Sequence, residues 1–128
     1  MPHLNIRVLP ETFSIHRSSP ESRIPTNLLV EQLVWIARTN EELSIVCESR
    51  WPIEATETSA GWSCLQVIGP LEFSLIGILA GIAKVLADAD ISIFALSTFD
   101  TDYILVPTEQ CENTVEALKQ AGYGFPQR

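Results

Sequence analysis

The stretch WSCLQVIGPLEFSLIGILAGIAKVLADADISIFALSTFDTDYILV, Trp62 to Val106, contains the succession of elements that decides the fold. Trp62 to Ile68 is typical of a strand, and Gly69-Pro70 ends it. From Phe73 to Ala89 the apolar residues follow the i, i+3, i+4, i+7 spacing of a helix: Leu75, Ile78, Leu79, Ile82 and Leu86. This stretch therefore predicts a strand followed by an amphipathic helix.

Two glycines lie inside this predicted helix. Gly77 and Gly81 are four residues apart, and each costs about 1 kcal/mol relative to Ala in a helix interior. Close packing of the helix on a sheet would explain both. We also expect Ser74 to cap the helix start.

Two strands follow the helix. Asp90 breaks the helical pattern, and Ile91 to Leu96 is almost continuously apolar. Thr101 to Val106 is the next predicted strand, with Asp100-Thr101 at the turn between them.

A second helix and a short strand complete the pattern. Thr108 is its expected cap, Gly122 its expected end, and its predicted buried stripe comprises Cys111, Val115 and Leu118. Tyr123 to Phe125 can add a last strand. The order β-α-β-β-α-β predicts an α+β, ferredoxin-like domain with its helices on one face of an antiparallel sheet.

The first half of the chain is less regular. Leu4, Ile6 and Val8 alternate with polar residues, and so do Phe13 and Ile15, which predicts a hairpin that turns at Pro10-Glu11. We expect a short helix after Thr26 or Asn27. Leu33–Arg38 and Leu43–Glu48 predict a second hairpin, with Thr39-Asn40-Glu41-Glu42 as its turn.

The two halves are joined by Ser49 to Gly61, a segment rich in Ser, Thr, Pro and Glu. The first half matches a reduced copy of the plan of the second. We therefore expect a reduced unit over residues 1–58 and a complete domain over residues 59–128.

Charge and cysteine content narrow the classes of function. Eight Lys and Arg residues against 16 Asp and Glu give a formal net charge of −8. Phosphate backbones and anionic membrane surfaces repel such a chain, so we expect neither nucleic acid nor membrane as a partner. Cys47, Cys64 and Cys111 form no disulfide framework or zinc spacing. We expect a cytoplasmic protein without metal or cofactor.

Few residues are candidates for catalysis. His3 and His16 are the histidines, and neither has a nucleophile or carboxylate at a recognisable catalytic spacing. We expect both to be ordinary surface histidines. No nucleophile-elbow, zinc-protease, P-loop or dinucleotide motif is present. We therefore expect a protein that is not an enzyme.

Two segments are candidates for ligand binding. The first joins a strand end to a helix start and contains Gly69, Leu71, Glu72 and Phe73. Free backbone N–H groups and the positive end of the helix dipole suit a carboxylate there, although a plain connecting turn fits the same residues.

The second candidate is STFDTD, Ser97 to Asp102, which places hydroxyls, an aromatic ring and two carboxylates between apolar strands. A carboxylate at this place can pair with the ammonium of an amino acid, and Phe99 can cover its apolar part. The competing interpretation is a polar hairpin turn. Since Asp102 alternates with Tyr103, one of the two faces the helix-covered side of the sheet or a subunit contact.

The pattern ISxFxxSTFxxDxxLV, Ile91 to Val106, resembles the ligand-binding ACT domain of small bacterial tandem-ACT proteins. It is also similar to the ligand-binding ACT domain of animal cytosolic arginine sensors. The resemblance implies an amino-acid-binding regulatory module, a homodimer, and a ligand held at an interface between ACT units. It further implies that Thr98, Phe99 and Asp102 contact the ligand, with Ser97 beside them.

One departure from that family concerns the ligand. Arginine-binding relatives have acidic residues in the first turn of the preceding helix, where this chain has Ser74 and Leu75. Glu72 is the nearby carboxylate, so the resemblance leaves room for a less cationic amino acid.

Two functions remain open. The first is an amino-acid sensor. The second is an interaction module that regulates a partner protein without a small ligand. Apolar residues on exposed strands, together with Trp51 and Trp62, favour this second function.

Overall fold

The computed structural model describes residues 4–69 and 76–126. Its strands are β1 (Ile6–Ser18), β2 (Trp35–Arg38), β3 (Leu43–Glu48), β4 (Glu57–Val67), β5 (Phe94–Ser97) and β6 (Asp102–Pro107). Its α-helices are α1 (Ile78–Asp88) and α2 (Cys111–Gln120), and 3-10 helices span Thr26–Val30 and Thr108–Gln110. The chain divides into a larger unit, Met1–Pro10 with Ser63–Arg128, and a smaller unit, Glu11–Trp62.

The larger unit has the predicted α+β architecture. Its strands follow the order β1-β4-β6-β5, and β5 pairs antiparallel with β6. Alternate strand residues on one face pack against α1 and α2, which places the core between the sheet and the helices. The buried members of that core are Ile6, Leu65, Val67, Ile82, Leu86, Ile91, Ile104, Val106 and Leu118.

The predicted last strand is reduced to a single bridge. Gly124 pairs with Asn5 in parallel orientation, and its carbonyl accepts a hydrogen bond from the Ile6 amide at 2.7 Å. A longer strand is disfavoured because Gly124 lies at its centre and Pro126 has no N–H to donate. The flanking Tyr123 and Phe125 nevertheless pack against the core.

The start of α1 differs from the prediction. The helix begins at Ile78, and the described residues Ile76 and Gly77 lie outside it. Gly77 is the N-cap with a φ of 80°, in the left-handed region that glycine adopts without steric cost. A Cβ on Gly77 would meet no described atom within 4 Å. Backbone conformation rather than close packing therefore explains this glycine. The expected cap, Ser74, lies outside the described residues.

The end of α1 is a Schellman motif built on Asp90. The Asp90 amide donates to the Ala87 carbonyl at 3.0 Å, and the Ile91 amide donates to the Leu86 carbonyl at 2.9 Å. Asp90 takes a φ of 59°, so the predicted helix break is confirmed. Strand β5 begins later than predicted, at Phe94. The apolar residues before it, Ile91 and Ile93, pack in or against the core instead of forming part of the strand.

α2 ends as predicted but begins differently. Gly122 has a φ of 102°, and its amide and that of Tyr123 close a second Schellman motif. At the other end no side-chain capping bond is made, and Thr108 opens a 3-10 helix instead. Leu118 is fully buried, whereas Cys111 and Val115 are half-buried. Thr114 completes the stripe because its hydroxyl donates to the Gln110 carbonyl at 2.8 Å.

In the smaller unit the predicted first hairpin is wrong. β1 continues through Pro10-Glu11 as one 13-residue strand, and its pairing with β3 begins only at Phe13. Pro10 precedes that paired segment, so its missing N–H costs no ladder bond there. At the start of the paired segment Phe13 and Ser14 are buried on opposite faces of β1, and His16 is buried as well, whereas Arg17 is exposed. The switch in apolar alternation therefore marks a change of environment and not a turn.

The second hairpin and the short helix are confirmed. β2 and β3 pair antiparallel from Trp35↔Val46 to Arg38↔Leu43, in the order β2-β3-β1. The 3-10 helix starts after Pro25, without a side-chain cap from Thr26 or Asn27. A small core lies on one face of this unit and is formed by Leu28, Leu43, Ile45 and Cys47, with Ile24, Val34, Ile36, Trp51 and Ile53 around it. The predicted connection is shorter than expected, since β4 already begins at Glu57.

Over residues 4–69 and 76–126, no helix has both the length and the apolar character needed to cross a membrane.

Candidate functional site

The turn between β5 and β6 is closed by its own threonine. Thr98 donates from its amide to the Thr101 carbonyl at 2.9 Å, and its hydroxyl lies 3.2 Å from the same oxygen. The Thr101 amide in turn points at the Thr98 hydroxyl, 3.4 Å away. These contacts fix the conformation of the turn from Thr98 to Thr101, because hydrogen bonds between a side chain and the backbone of its own turn restrict the backbone dihedral angles.

The residues that flank this turn form a polar pair. Ser97 and Asp102 are register partners in the hairpin, and the Ser97 hydroxyl donates to an Asp102 carboxylate oxygen at 2.6 Å. Asp102 has the same strand parity as Ile104 and Val106, which pack in the core under the helices. Asp102, and not Tyr103, is therefore on the helix-covered face, at the end of the sheet. A half-exposed carboxylate held by a hydroxyl can accept a cationic group there.

Thr101 ties this turn to the end of β4. Its hydroxyl donates to the Val67 carbonyl at 2.6 Å, and the residue is only 5% exposed. Val67 precedes Gly69 by two residues, so the bond brings the turn and the start of the β4–α1 connection to the same end of the unit. The sequence predicts Thr101 at the turn but indicates no role for it in the site, because a threonine in a turn gives no sign of a hydrogen bond to a carbonyl far away in the sequence.

The other predicted site residues are distributed as follows. Phe99 is 79% exposed at the tip of the turn, and Gly69 is exposed after β4. Leu71, Glu72 and Phe73 lie outside the described residues. The structure thus brings Ser97, Thr98, Phe99 and Asp102 together on one hairpin, with Gly69 linked to them through Thr101 and Val67.

The opposite face of the hairpin has a different electrostatic environment. Burial raises the pKa of the Tyr103 hydroxyl, and Cys64 and Asp100 raise it further, whereas Arg7 lowers it. Arg7 also donates to the Gln66 side chain at 3.4 Å. Tyr103 therefore stays a neutral phenol near neutral pH, and Asp102 does not share its surroundings.

His16 is not the surface residue that we expected. It is 5% exposed in the smaller unit, and its Nδ1 lies 3.0 Å from the Thr58 hydroxyl. Burial lowers the pKa of its imidazole, so the ring is neutral near pH 7. His3 lies outside the described residues. Within the part of the chain that the structure describes, no group of three or more His, Cys, Asp or Glu side chains is placed to hold a metal ion.

A hairpin turn of the smaller unit has the same construction. The Thr39 amide donates to the Glu42 carbonyl at 2.8 Å, and the Thr39 hydroxyl accepts from the amides of Glu41 and Glu42, each at 3.1 Å. Both turns thus begin with a threonine and enclose two further residues. The flanking pair differs, because Arg38 and Leu43 stand where the larger unit has Ser97 and Asp102.

Known proteins share both sequence and fold with this chain. The cytosolic arginine sensor for mTORC1 subunit 1 of Homo sapiens is 36% identical over 82 residues, or 61% of this chain; the Bos taurus protein is 37% identical. The chain matches only 25% of the length of these relatives.

Solved structures extend the likeness to the whole chain. Protein Atu0741 from Agrobacterium tumefaciens is 34% identical, with a TM-score of 0.88 over 100% of this chain and 96% of that one. The ligand-free regulatory subunit of aspartate kinase from Thermus thermophilus has a TM-score of 0.65 at 12% identity, over 91% of this chain and 95% of that one, which shows a shared fold.

The family model described as "ACT domain" matches residues 57–120, which are 64 of the 128 residues and include the candidate site. Because the match extends over half of the chain, this protein belongs to the ACT domain family.

Proposed function

We propose that this protein is a non-catalytic regulatory module that binds a free amino acid. The observation that carries the proposal is the β5–β6 hairpin, in which a hydroxyl-held carboxylate and an exposed aromatic ring flank a turn tied to the end of β4. Such a turn supplies one charged acceptor and one apolar cover within a few residues. These are the groups that an amino acid needs at its ammonium and at its side chain.

Each proposed contact follows from the chemistry of the residue. The Asp102 carboxylate accepts from the ligand ammonium, while Ser97 holds one of its oxygens in place. Main-chain groups of Thr98 and Phe99 add hydrogen bonds, and the Phe99 ring covers the apolar part. We further propose that the ligand carboxylate is bound by the β4–α1 connection, through Gly69, Leu71, Glu72 and Phe73.

The named relatives support this function. One relative in sequence is by name a cytosolic arginine sensor, and a protein that shares the fold is by title the regulatory subunit of aspartate kinase. We propose the same class of role for this chain, in the cytoplasm, with a regulated protein as its partner and with neither nucleic acid nor membrane.

We also propose a tandem organisation, with a reduced ACT-like unit over residues 1–58 and an ACT domain over residues 59–128. The matching turns that start at Thr39 and Thr98 support a common origin of the two halves. In this proposal the protein is a homodimer and the ligand lies at an interface between ACT units.

The test is a thermal-shift screen against the twenty amino acids at millimolar concentration, followed by titration calorimetry. A ligand at 100 times its dissociation constant stabilises the protein by about 2.7 kcal/mol, which shifts the melting temperature by several degrees. Asp102→Asn removes the charge and keeps the shape. Because hydrogen bonds to charged groups contribute about 1.5–3 kcal/mol, we expect affinity to fall about 10- to 100-fold.

A matched control separates this effect from a general change in charge. Asp88→Asn removes an exposed carboxylate that pairs with Lys84 on α1 and should leave affinity unchanged. Unchanged binding in Asp102→Asn would refute the site, and no binding of any amino acid by the wild type would refute the function.

A ligand-free interaction module is the second candidate, favoured by the exposed apolar side chains Phe99 and Ile76, which are 79% and 93% exposed. It requires a dimer or a complex whose formation ignores amino acids. Light-scattering mass with and without an amino-acid mixture distinguishes it from the sensor. A strictly monomeric protein would contradict this candidate.

A further inference from the structure

The Thr101 side chain makes a contact that turn formation does not require. The turn is already closed by bonds between Thr98 and the Thr101 backbone. The Thr101 hydroxyl is instead directed to the Val67 carbonyl, 34 positions earlier in the sequence, at 2.6 Å and out of contact with water.

This bond adds a side-chain link to the pairing of the neighbouring strands β4 and β6, at the end of the sheet where the turn lies. On one side it fixes the turn that bears Phe99 and the strand start that bears Asp102. On the other side it holds the last residue of β4, from which the connection starting at Gly69 departs. A buried hydrogen bond of this kind defines the distance between two backbones, because leaving the acceptor without a donor costs free energy.

We infer that Thr101 is the positioning residue of the site: its hydroxyl holds the β5–β6 turn against the end of β4 at the separation that amino-acid binding requires. This inference rests on the proposed function. In this proposal Thr101 does not touch the ligand, and it acts through the β5–β6 turn, which does.

Thr101→Val tests the role of the hydroxyl, since valine has nearly the same shape and cannot donate. Thr101→Ser keeps the donor and serves as the rescuing variant. Thr114→Val is the matched control, because Thr114 is also fully buried in the larger unit and also donates to a backbone carbonyl, that of Gln110, but on α2. Each valine variant loses one side-chain hydrogen bond to a backbone carbonyl, a buried bond at Thr101 and a part-buried bond at Thr114, so a general loss of stability would affect binding in both.

The measurements are calorimetric affinity for the amino acid that stabilises the wild type, and amide hydrogen exchange of the free protein. We expect Thr101→Val to weaken binding about tenfold, as the loss of one buried hydrogen bond allows. We expect Thr101→Ser to stay within about threefold of the wild type and Thr114→Val to bind normally. In Thr101→Val the Thr98 amide should exchange faster, because the turn has lost its anchor.

The outcomes separate the two proposals. If the wild type binds an amino acid and Thr101→Val binds it equally well, the positioning role is refuted and the function stands. Equal loss of affinity in Thr101→Val and Thr114→Val also refutes positioning, since the effect is then general destabilisation. If the wild type binds no amino acid, the proposed function fails, and unchanged exchange at Thr98 in Thr101→Val shows that the anchor fails as well.

Discussion

A buried histidine makes the stability of this protein dependent on pH. His16 lies in β1 opposite Ile45 of β3, with its Nδ1 at 3.0 Å from the Thr58 hydroxyl of β4. Its Nε2 is buried and has no hydrogen-bond partner among the described residues. Cys47, two residues from Ile45 along β3, has a pKa raised to about 11 by burial and by Glu48, so its thiol carries no charge at neutral pH. A protonated His16 would therefore meet no compensating anion.

The sign of the pH dependence follows from the lowered pKa. The unfolded chain takes up a proton near the ordinary histidine pKa of 6.5, whereas burial lowers the pKa of His16 in the folded state. Stability contributed by His16 is thus fully present above pH 6.5 and is lost as the pH falls below it. Protonation of this one group in the unfolded chain can lower the free energy of unfolding by at most about 1.4 kcal/mol between about pH 7.5 and pH 5.5. The limit equals one pH unit's worth of free energy, because the unfolded histidine is only partly protonated over most of this interval.

Urea unfolding at these two pH values measures the effect in the wild type and in His16→Asn, whose amide can still reach Thr58 but cannot titrate. We expect the wild type to lose about 1 kcal/mol more than His16→Asn over this interval. His3→Gln, which removes the other histidine of the chain, should behave like the wild type. Carboxylates titrate equally in all three proteins and cancel in the comparison. Equal losses in the wild type and His16→Asn would refute the argument that His16 is buried neutral.

Two further predictions concern the backbone and the thiols. Asp90→Gly should raise the free energy of unfolding by about 0.5–1 kcal/mol, because glycine takes the positive φ of 59° at the end of α1 without steric cost. Urea unfolding measures this change, and a variant less stable than the wild type would contradict the prediction. Ellman's reagent at about pH 8 should label Cys111 in the native protein and reach Cys47 and Cys64 only after unfolding, because both are buried. Burial and Glu48 also raise the pKa of Cys47 to about 11, which keeps its thiol protonated and unreactive. Labelling of Cys47 as fast as Cys111 would contradict this prediction.

The elements that the sequence predicted well are those whose residues have one dominant reason to be where they are. Gly122 ends α2 because the left-handed position of a Schellman motif favours glycine. The hairpin at Thr39 follows from polar turn residues between two apolar runs. The prediction of a hairpin in place of β1 was wrong for the opposite reason. In the second half of β1 Phe13 and Ser14 are buried on opposite faces, so the apolar alternation changes phase there, and this change imitates a turn at Pro10.

The candidate site was predictable only in part. The chemistry of Ser97 and Asp102 is visible in the sequence, but their direct bond depends on a hairpin register that places residues five apart opposite each other. The role of Thr101 depends on a strand 34 residues away, and local patterns carry no information about such a partner. The function of Gly77 was misjudged because a glycine within an apolar run has the same appearance whether it packs closely or turns the backbone.

The two matching turns differ in the groups that the proposed amino-acid site requires. Both are closed by a threonine, so the shape of the turn by itself does not create a site. At the position of Asp102 the smaller unit has Leu43, which is 1% exposed and belongs to the core, and at the position of Ser97 it has Arg38. An apolar core residue cannot bind an ammonium, and a cation beside it would repel one. The smaller unit therefore has the same turn without the groups that the proposed site requires, and of these two hairpins it is the β5–β6 hairpin that bears both the carboxylate of Asp102 and the exposed ring of Phe99.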